Sequence, residues 1–247
     1  MRAAGDDIIQ IWFLIGKLTG GSSGSRPGST GKDPKMEIIS VEKMREADRY
    51  TIAKGTPSKE LMRRAAQGVY DAYPAWEGNR ILVVCGSGNN GGDGYALAAI
   101  LKDHEQDVTV LRVTEKFSED GAFYHQQCVE KDVPILLYGT DPIDFLSYSL
   151  IVDCILGTGF QGTPKAPLDS AIRSINFARE SGTAYVISVD INSGMNGDTG
   201  ESELAVTSDL TLSIGYYKTG FFEEPAQELI GALMNIDIGI ELPEEQG

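Results

Sequence analysis

Histidine is nearly absent from this chain, with two in 247 residues, His104 and His125. Both fall in stretches that read as polar helix surface. A histidine-based zinc site or a Ser–His–Asp triad therefore has little to draw on. Cysteine is scarce as well. Cys85, Cys128 and Cys154 are odd in number and form no CxxC pair, which argues against a disulfide framework. They are expected to be small core residues in a reducing compartment, the cytoplasm. Positive charge is in deficit, with 21 Lys and Arg against 36 Asp and Glu and a net charge of −15. So acidic a surface repels a phosphate backbone, so neither nucleic acid nor a membrane is expected as a partner. A phosphorylated small molecule remains compatible, because backbone N–H groups can bind an anion locally. The apolar run from Ile8 to Ile15 is too short to span a bilayer and lacks the strongly basic start of a signal peptide. Chemistry here must rest on carboxylates, amides, hydroxyls, backbone groups or a bound ion.

What is present is regular alternation. Residues 1–35 stand apart: a Gly/Ser-rich stretch from Gly20 to Gly31 reads as a flexible linker. This segment is expected to be an expression-derived or otherwise accessory leader, with one domain over residues 36–247. Residues 41–54 and 58–73 read as helices. In the second, Leu61, Met62, Ala65, Ala66, Val69 and Tyr73 share a face, and Pro57 and Ser58 mark its start, with Ser58 able to cap it. Short apolar runs then alternate with helices. Strands are expected at 81–85, 108–113, 134–138, 150–156, 185–190, 210–214 and 233–238, with helices near 92–103, 118–131 and 167–180. Continuous apolar strands separated by helices predict an α/β fold, a three-layer αβα sandwich around a mostly parallel sheet. In such sheets the ligand lies beyond the carboxyl ends of the strands.

Three strand ends carry polar groups. The first opens into Gly86-Ser87-Gly88-Asn89-Asn90-Gly91-Gly92-Asp93-Gly94. That glycine content is costly unless the backbone needs unusual dihedrals or close approach. Gly86, Gly88 and Gly91 make a formal GxGxxG, a weak dinucleotide signal by itself. The fourth strand carries Asp153 and runs into Gly157-Thr158-Gly159-Phe160-Gln161-Gly162-Thr163. An acid inside an apolar strand needs a partner, and a Gly/Thr loop before a helix suits phosphate. The fifth strand ends Asp190-Ile191-Asn192-Ser193-Gly194. Convergence of these ends at one sheet edge points to a site, and the oxygens of Asn90, Asp153 and Ser193 suit a hard cation.

These residues resemble the YjeF N-terminal domain family, the NAD(P)H-hydrate epimerases. The resemblance rests on Gly86 to Gly94, on Val152-Asp153 with Gly157-Thr158-Gly159, on Val189 to Gly194, and on Asp198-Thr199-Gly200. Met44-Arg45-Glu46-Ala47-Asp48 and Leu61-Met62 also resemble the family's opening helices. It runs from about Met36 to about Leu242 and implies a Rossmann-like sheet and an isomerase that interconverts the R and S forms of hydrated NADH and NADPH. It implies substrate contacts at Asn89, Asn90, Gly91, Gly92 and Asp93, at Gly157, Thr158, Gly159, Phe160, Gln161, Gly162 and Thr163, and at Asp190. It further implies one potassium ion held by Asn90, Asp153 and Ser193. Asp190 is the expected proton carrier; Lys218 could reach a phosphate or be structural. The chain departs from the family at Asn192, often Pro, and Asn196, often Asp. A homodimer and a functional link to a separate dehydratase complete the expectations. Two rival readings are an NAD-dependent oxidoreductase, with Glu115 as the ribose acid, and a non-catalytic scaffold. The absence of a hydride-transfer partner argues against the first, and retention of Asn90, Asp153, Asp190 and Ser193 against the second.

Overall fold

The computed structural model describes residues 37–243; the expected leader lies outside them. In chain order the elements are β1 (Ile38–Ile39), α1 (Val41–Ala53), α2 (Ser58–Ala72), β2 (Arg80–Cys85), α3 (Asn89–Asp103), β3 (Asp107–Arg112), α4 (Glu119–Glu130) and β4 (Ile135–Leu137). They continue with β5 (Leu150–Cys154), α5 (Leu168–Glu180), β6 (Tyr185–Val189), β7 (Leu210–Ile214), β8 (Tyr217–Lys218) and β9 (Ala232–Ile236). Seven strands form one sheet in the order β4-β3-β2-β5-β6-β7-β9, every neighbouring pair parallel. β1 and β8 form a separate two-stranded parallel pair.

The apolar runs read as strands because both faces of the sheet are covered. Ile81, Val83 and Cys85 enter one core with residues of α1 to α4, while Leu82 and Val84 enter the other with Ala171, Ile172, Ile175 and Ala178 of α5. Each fully buried aliphatic side chain contributes about 1.5–3 kcal/mol. The α2 stripe Leu61, Met62, Ala65, Ala66, Val69 is buried as its spacing predicts. All three cysteines are buried free thiols. Ser40 and Ser118 cap α1 and α4 by accepting from the backbone N–H groups of Lys43 and Gly121. Ser58 does not cap α2: it is the first helical residue, and Pro57 holds the cap position without a side-chain bond.

The expected helix near residue 92 begins at Asn89, so Asn-Asn-Gly-Gly-Asp is helix rather than loop. None of its glycines has a positive φ; close approach is what they serve. A Cβ at Gly91 would lie 2.1 Å from the Gly86 carbonyl oxygen, and one at Gly94 would lie 2.7 Å from the Cys85 sulfur. The helix can start there only because those positions have no side chain.

Strand order reverses between β2 and β5, and a crevice opens above such a switch point. The turns leaving β2 and β5 border that crevice, and β6 delivers Asp190 beside them.

Candidate active site

A cavity of about 520 Å³ lies over the switch point. Its floor is formed by the start of α3, with Ser87, Gly88, Asn89, Asn90 and Asp93 on the wall. The turn after β5 supplies Gly157, Thr158, Gly159 and Phe160, and the end of β6 supplies Asp190. A third wall comes from α1 and α2, through Met44, Arg45, Asp48, Ser58 and Met62. The expected substrate residues do not all meet here. Gly91 and Gly92 are buried behind the wall, where Gly92 packs on Met62 and Gly121. Gln161, Gly162 and Thr163 line a second cleft of about 460 Å³, which shares Phe160 with the first. There Thr163 donates its hydroxyl to Glu203 at 2.6 Å.

The first turn of α3 faces the cavity with Gly88 at its cap and no side chain capping it. Its free N–H groups and the helix dipole form a local positive end suited to an anionic group. Arg45 reaches across and donates to the Thr158 carbonyl at 3.2 Å, tying α1 to the second turn.

Behind the cavity, Asp153 is fully buried. It accepts from the Ser193 amide at 2.9 Å, from the Ser188 hydroxyl at 2.9 Å, from the Ile155 amide at 3.2 Å and from the Ser193 hydroxyl. Burial pushes its carboxyl above the ordinary value, and these donors pull it back. Ser193 Oγ also accepts from the Leu156 amide at 2.8 Å, and Asn90 Nδ2 donates to the Leu156 carbonyl at 2.9 Å. The three residues expected at an ion therefore converge around Leu156. Asn90 is 5% exposed, and its Oδ1 is buried without a hydrogen-bond partner. An orphaned buried amide oxygen beside hydroxyl, carboxylate and carbonyl oxygens fits a hard cation. Among the described residues no group of three or more His, Cys, Asp and Glu side chains could hold a metal, so such an ion would depend on these mixed oxygens.

Asp190 has a φ of 67°, left-handed backbone that side chains rarely adopt. Strain of this kind costs about 1–3 kcal/mol and collects at functional positions. Its effect here is to turn the carboxylate into the cavity, beside Gly157. Lys218, at the end of β8, is fully buried and ion-paired with Asp190. It also donates to Ser213 Oγ at 3.1 Å and to the Ile214 carbonyl at 3.0 Å. All three ammonium donors are thus used within the protein, so Lys218 positions Asp190 and has none left for a phosphate. Asp48 was not among the expected site residues. It is half-buried on α1, and burial, followed by the charge of Asp190, raises its carboxyl to about 6, with Lys218 opposing. Burial likewise pushes Asp93 well above the ordinary carboxylate range, with Asp190 and Asp48 adding to the shift.

The two departures from the family pattern both have structural partners. Asn192 is buried; its amide donates to Val206 O, Leu229 O and Ser208 Oγ, and its oxygen accepts from Thr211. Asn196 accepts from the backbone of Asp198 and Thr199 and so closes the following turn.

A parallel sheet wound on both faces, with an uncapped helix start and acidic groups over its switch point, defines a Rossmann-like protein built to hold a polar, nucleotide-type ligand. The comparisons sharpen that class. The family model described as YjeF-related protein N-terminus matches residues 58–220, and the chain belongs to that family. A protein of Limosilactobacillus fermentum named NAD(P)H-hydrate epimerase is 35% identical over 211 residues, covering 81% of this chain and 96% of its own. A Coxiella burnetii protein named bifunctional NAD(P)H-hydrate repair enzyme is 35% identical over 202 residues, covering 80% of this chain; the chain spans only 40% of that relative. The crystal structure of the yeast protein ynu0 superposes with a TM-score of 0.67 at 22% identity, covering 81% of this chain and 87% of its own, which shows the fold. Among the described residues no helix is long and apolar enough to cross a membrane.

Proposed function

We propose that this protein is an NAD(P)H-hydrate epimerase, an isomerase that interconverts the R and S forms of hydrated NADH and NADPH. The observation that carries the reading is end-to-end similarity: a relative of that name aligns over 96% of its length at 35% identity. The geometry is compatible. The uncapped start of α3 offers N–H groups to the phosphates, and the turn from Gly157 to Phe160 lines the same cavity. Gln161, Gly162 and Thr163 extend that contact into the neighbouring cleft.

The hydrate carries a hydroxyl on a ring carbon beside the ring nitrogen. Protonation of that hydroxyl lets it leave as water, and the nitrogen lone pair stabilises the cation that results. Water then returns to the same carbon. Asp190 moves a proton in this exchange and stabilises the cationic ring electrostatically, held in place by Lys218. Asn90, Asp153 and Ser193 would hold one potassium ion, which would supply a fixed positive charge to the site. The enzyme acts in the cytoplasm as a homodimer. Its product serves a dehydratase activity; the bifunctional name of the Coxiella relative supports this link.

The test supplies purified R-form NADPH hydrate, with potassium and then with sodium, and follows the S form by chromatography. Conversion above the spontaneous rate is expected, faster in potassium. No acceleration by the folded protein in either salt would overturn the reading and favour a non-catalytic binding role.

A further inference from the structure

Inversion at one carbon sets a requirement that a single carboxylate meets poorly. When the hydroxyl departs from one face of the ring and water returns on the other, a proton is delivered on one side and removed on the other. The cavity holds two acidic groups on different walls: Asp190 at the end of β6 and Asp48 on α1. Their surroundings differ. Asp190 is ion-paired with the buried Lys218, whereas Asp48 has no ion-pair partner among the described residues. We infer that Asp48 is a second catalytic proton carrier, acting on the ring face opposite Asp190. This assignment rests on the hydrate-epimerase reading above.

The steps balance without any oxidant or added reactant. In one direction the proton of Asp48 passes to the hydroxyl oxygen. The carbon–oxygen bond breaks with its electron pair on oxygen, and a water leaves while the nitrogen lone pair forms the carbon–nitrogen double bond. An entering water adds its own lone pair to that carbon from the other face, the double-bond pair returns to nitrogen, and the surplus proton goes to Asp190. One proton has moved from Asp48 to Asp190, and exchange with solvent through the open cavity restores the start. The reverse direction retraces these steps.

The charged groups facing Asp48 are Arg45 on its own helix, Asp93 from α3, Asp120 from α4, Asp190 from the end of β6 and Lys218 from β8. Of these, the charge of Asp190 raises the Asp48 carboxyl and that of Lys218 lowers it. The Asp48 carboxyl, raised to about 6, exchanges protons close to neutral pH. As an acid it is competent when protonated, so its contribution is full well below that value and fades as pH rises through it.

The experiment measures kcat and KM for epimerisation from about pH 5 to about pH 8, less the spontaneous rate, for the unaltered enzyme and for Asp48→Asn and Asp48→Glu. For Asp48→Asn, kcat should fall by about 10²–10⁴-fold with KM little changed, and the decline above about pH 6 should vanish; Asp48→Glu should recover part of kcat and the decline. An Asn variant that keeps both the rate and the pH profile would overturn the assignment. A kcat for the unaltered enzyme that is flat across the range would also overturn it, whether or not the variants fold. No conversion at all by the unaltered enzyme would overturn the substrate reading, and the assignment with it.

Discussion

Replacing Lys218 with Met keeps the length of the side chain and removes its charge. The consequences follow from the three partners it abandons. Ser213 Oγ and the Ile214 carbonyl lose a donor in a buried setting, and Asp190 loses the cation that offsets its burial. Breaking a buried ion pair from one side costs about 3–5 kcal/mol. The Asp190 side chain keeps 19% of its exposure through the cavity, so water recovers part of that loss, and about 3 kcal/mol is expected. For a domain of roughly 210 residues that is a fall in Tm of about 6–12 °C. Urea unfolding with an unchanged m-value would report it. In a double-mutant cycle with Asp190→Asn, the paired loss should be smaller than the sum of the single losses by about 1 kcal/mol or more. Epimerisation should also slow, because the proton-carrying carboxylate is no longer held. A Lys218→Met protein within about 0.5 kcal/mol of the parent, and additive with Asp190→Asn, would refute the argument that Lys218 positions the aspartate.

Other outcomes follow from the same geometry. Gly91→Ala places a methyl 2.1 Å from the Gly86 carbonyl and should cost about 1–3 kcal/mol in urea unfolding, whereas Gly88→Ala meets nothing within 4 Å and should leave stability intact while raising KM if phosphate approaches there. Asn192→Ala abandons four hydrogen-bond partners in the core and should cost about 2–3 kcal/mol by the same measurement. Potassium at about one hundred times its dissociation constant should raise unfolding free energy by about 2.7 kcal/mol over a bulky organic cation at equal ionic strength, and Asn90→Leu should remove that rise. The Asp48 carboxyl sits at about 6 against an ordinary 3.8. Between those values the folded state holds a proton that the unfolded chain has released, so this group makes stability fall as pH rises across that window, and Asp48→Asn should flatten the slope in pH-resolved unfolding.

The sheet was legible because burial on both faces leaves an unbroken apolar signature, as in Ile81 to Cys85 and Leu150 to Val152. Composition misled at Asn89 to Gly94, where glycine suggested a loop; those glycines are spacers for packing, a property set by Gly86, Cys85 and Met62 and not by the segment itself. Two-residue strands such as β1 and β8 carry no periodicity that a sequence pattern could register. Asp153, Asp190 and Ser193 stood out because polar groups at the ends of apolar strands are conspicuous. Lys218 stayed open between a phosphate contact and a structural role, and Asp48 carried no expected role at the site. A buried lysine and a surface lysine read alike in one dimension, and Asp48 lies among Arg45, Glu46 and Arg49 on what looks like a solvated helix face. Their meaning depends on Asp190, which only the fold brings near.

The wall that carries Asp48 is fastened by the far end of the chain. The Val41 amide donates to Asp198, 157 positions later, and the Glu241 amide donates to Thr51, 190 positions earlier. β1 adds a ladder to β8. Contacts this distant in sequence form late, once the intervening chain has been made and the loops between them closed. A growing polypeptide therefore carries Asp48 and the α3 start long before it has a cavity to put them in, and the ligand can stabilise only the finished molecule.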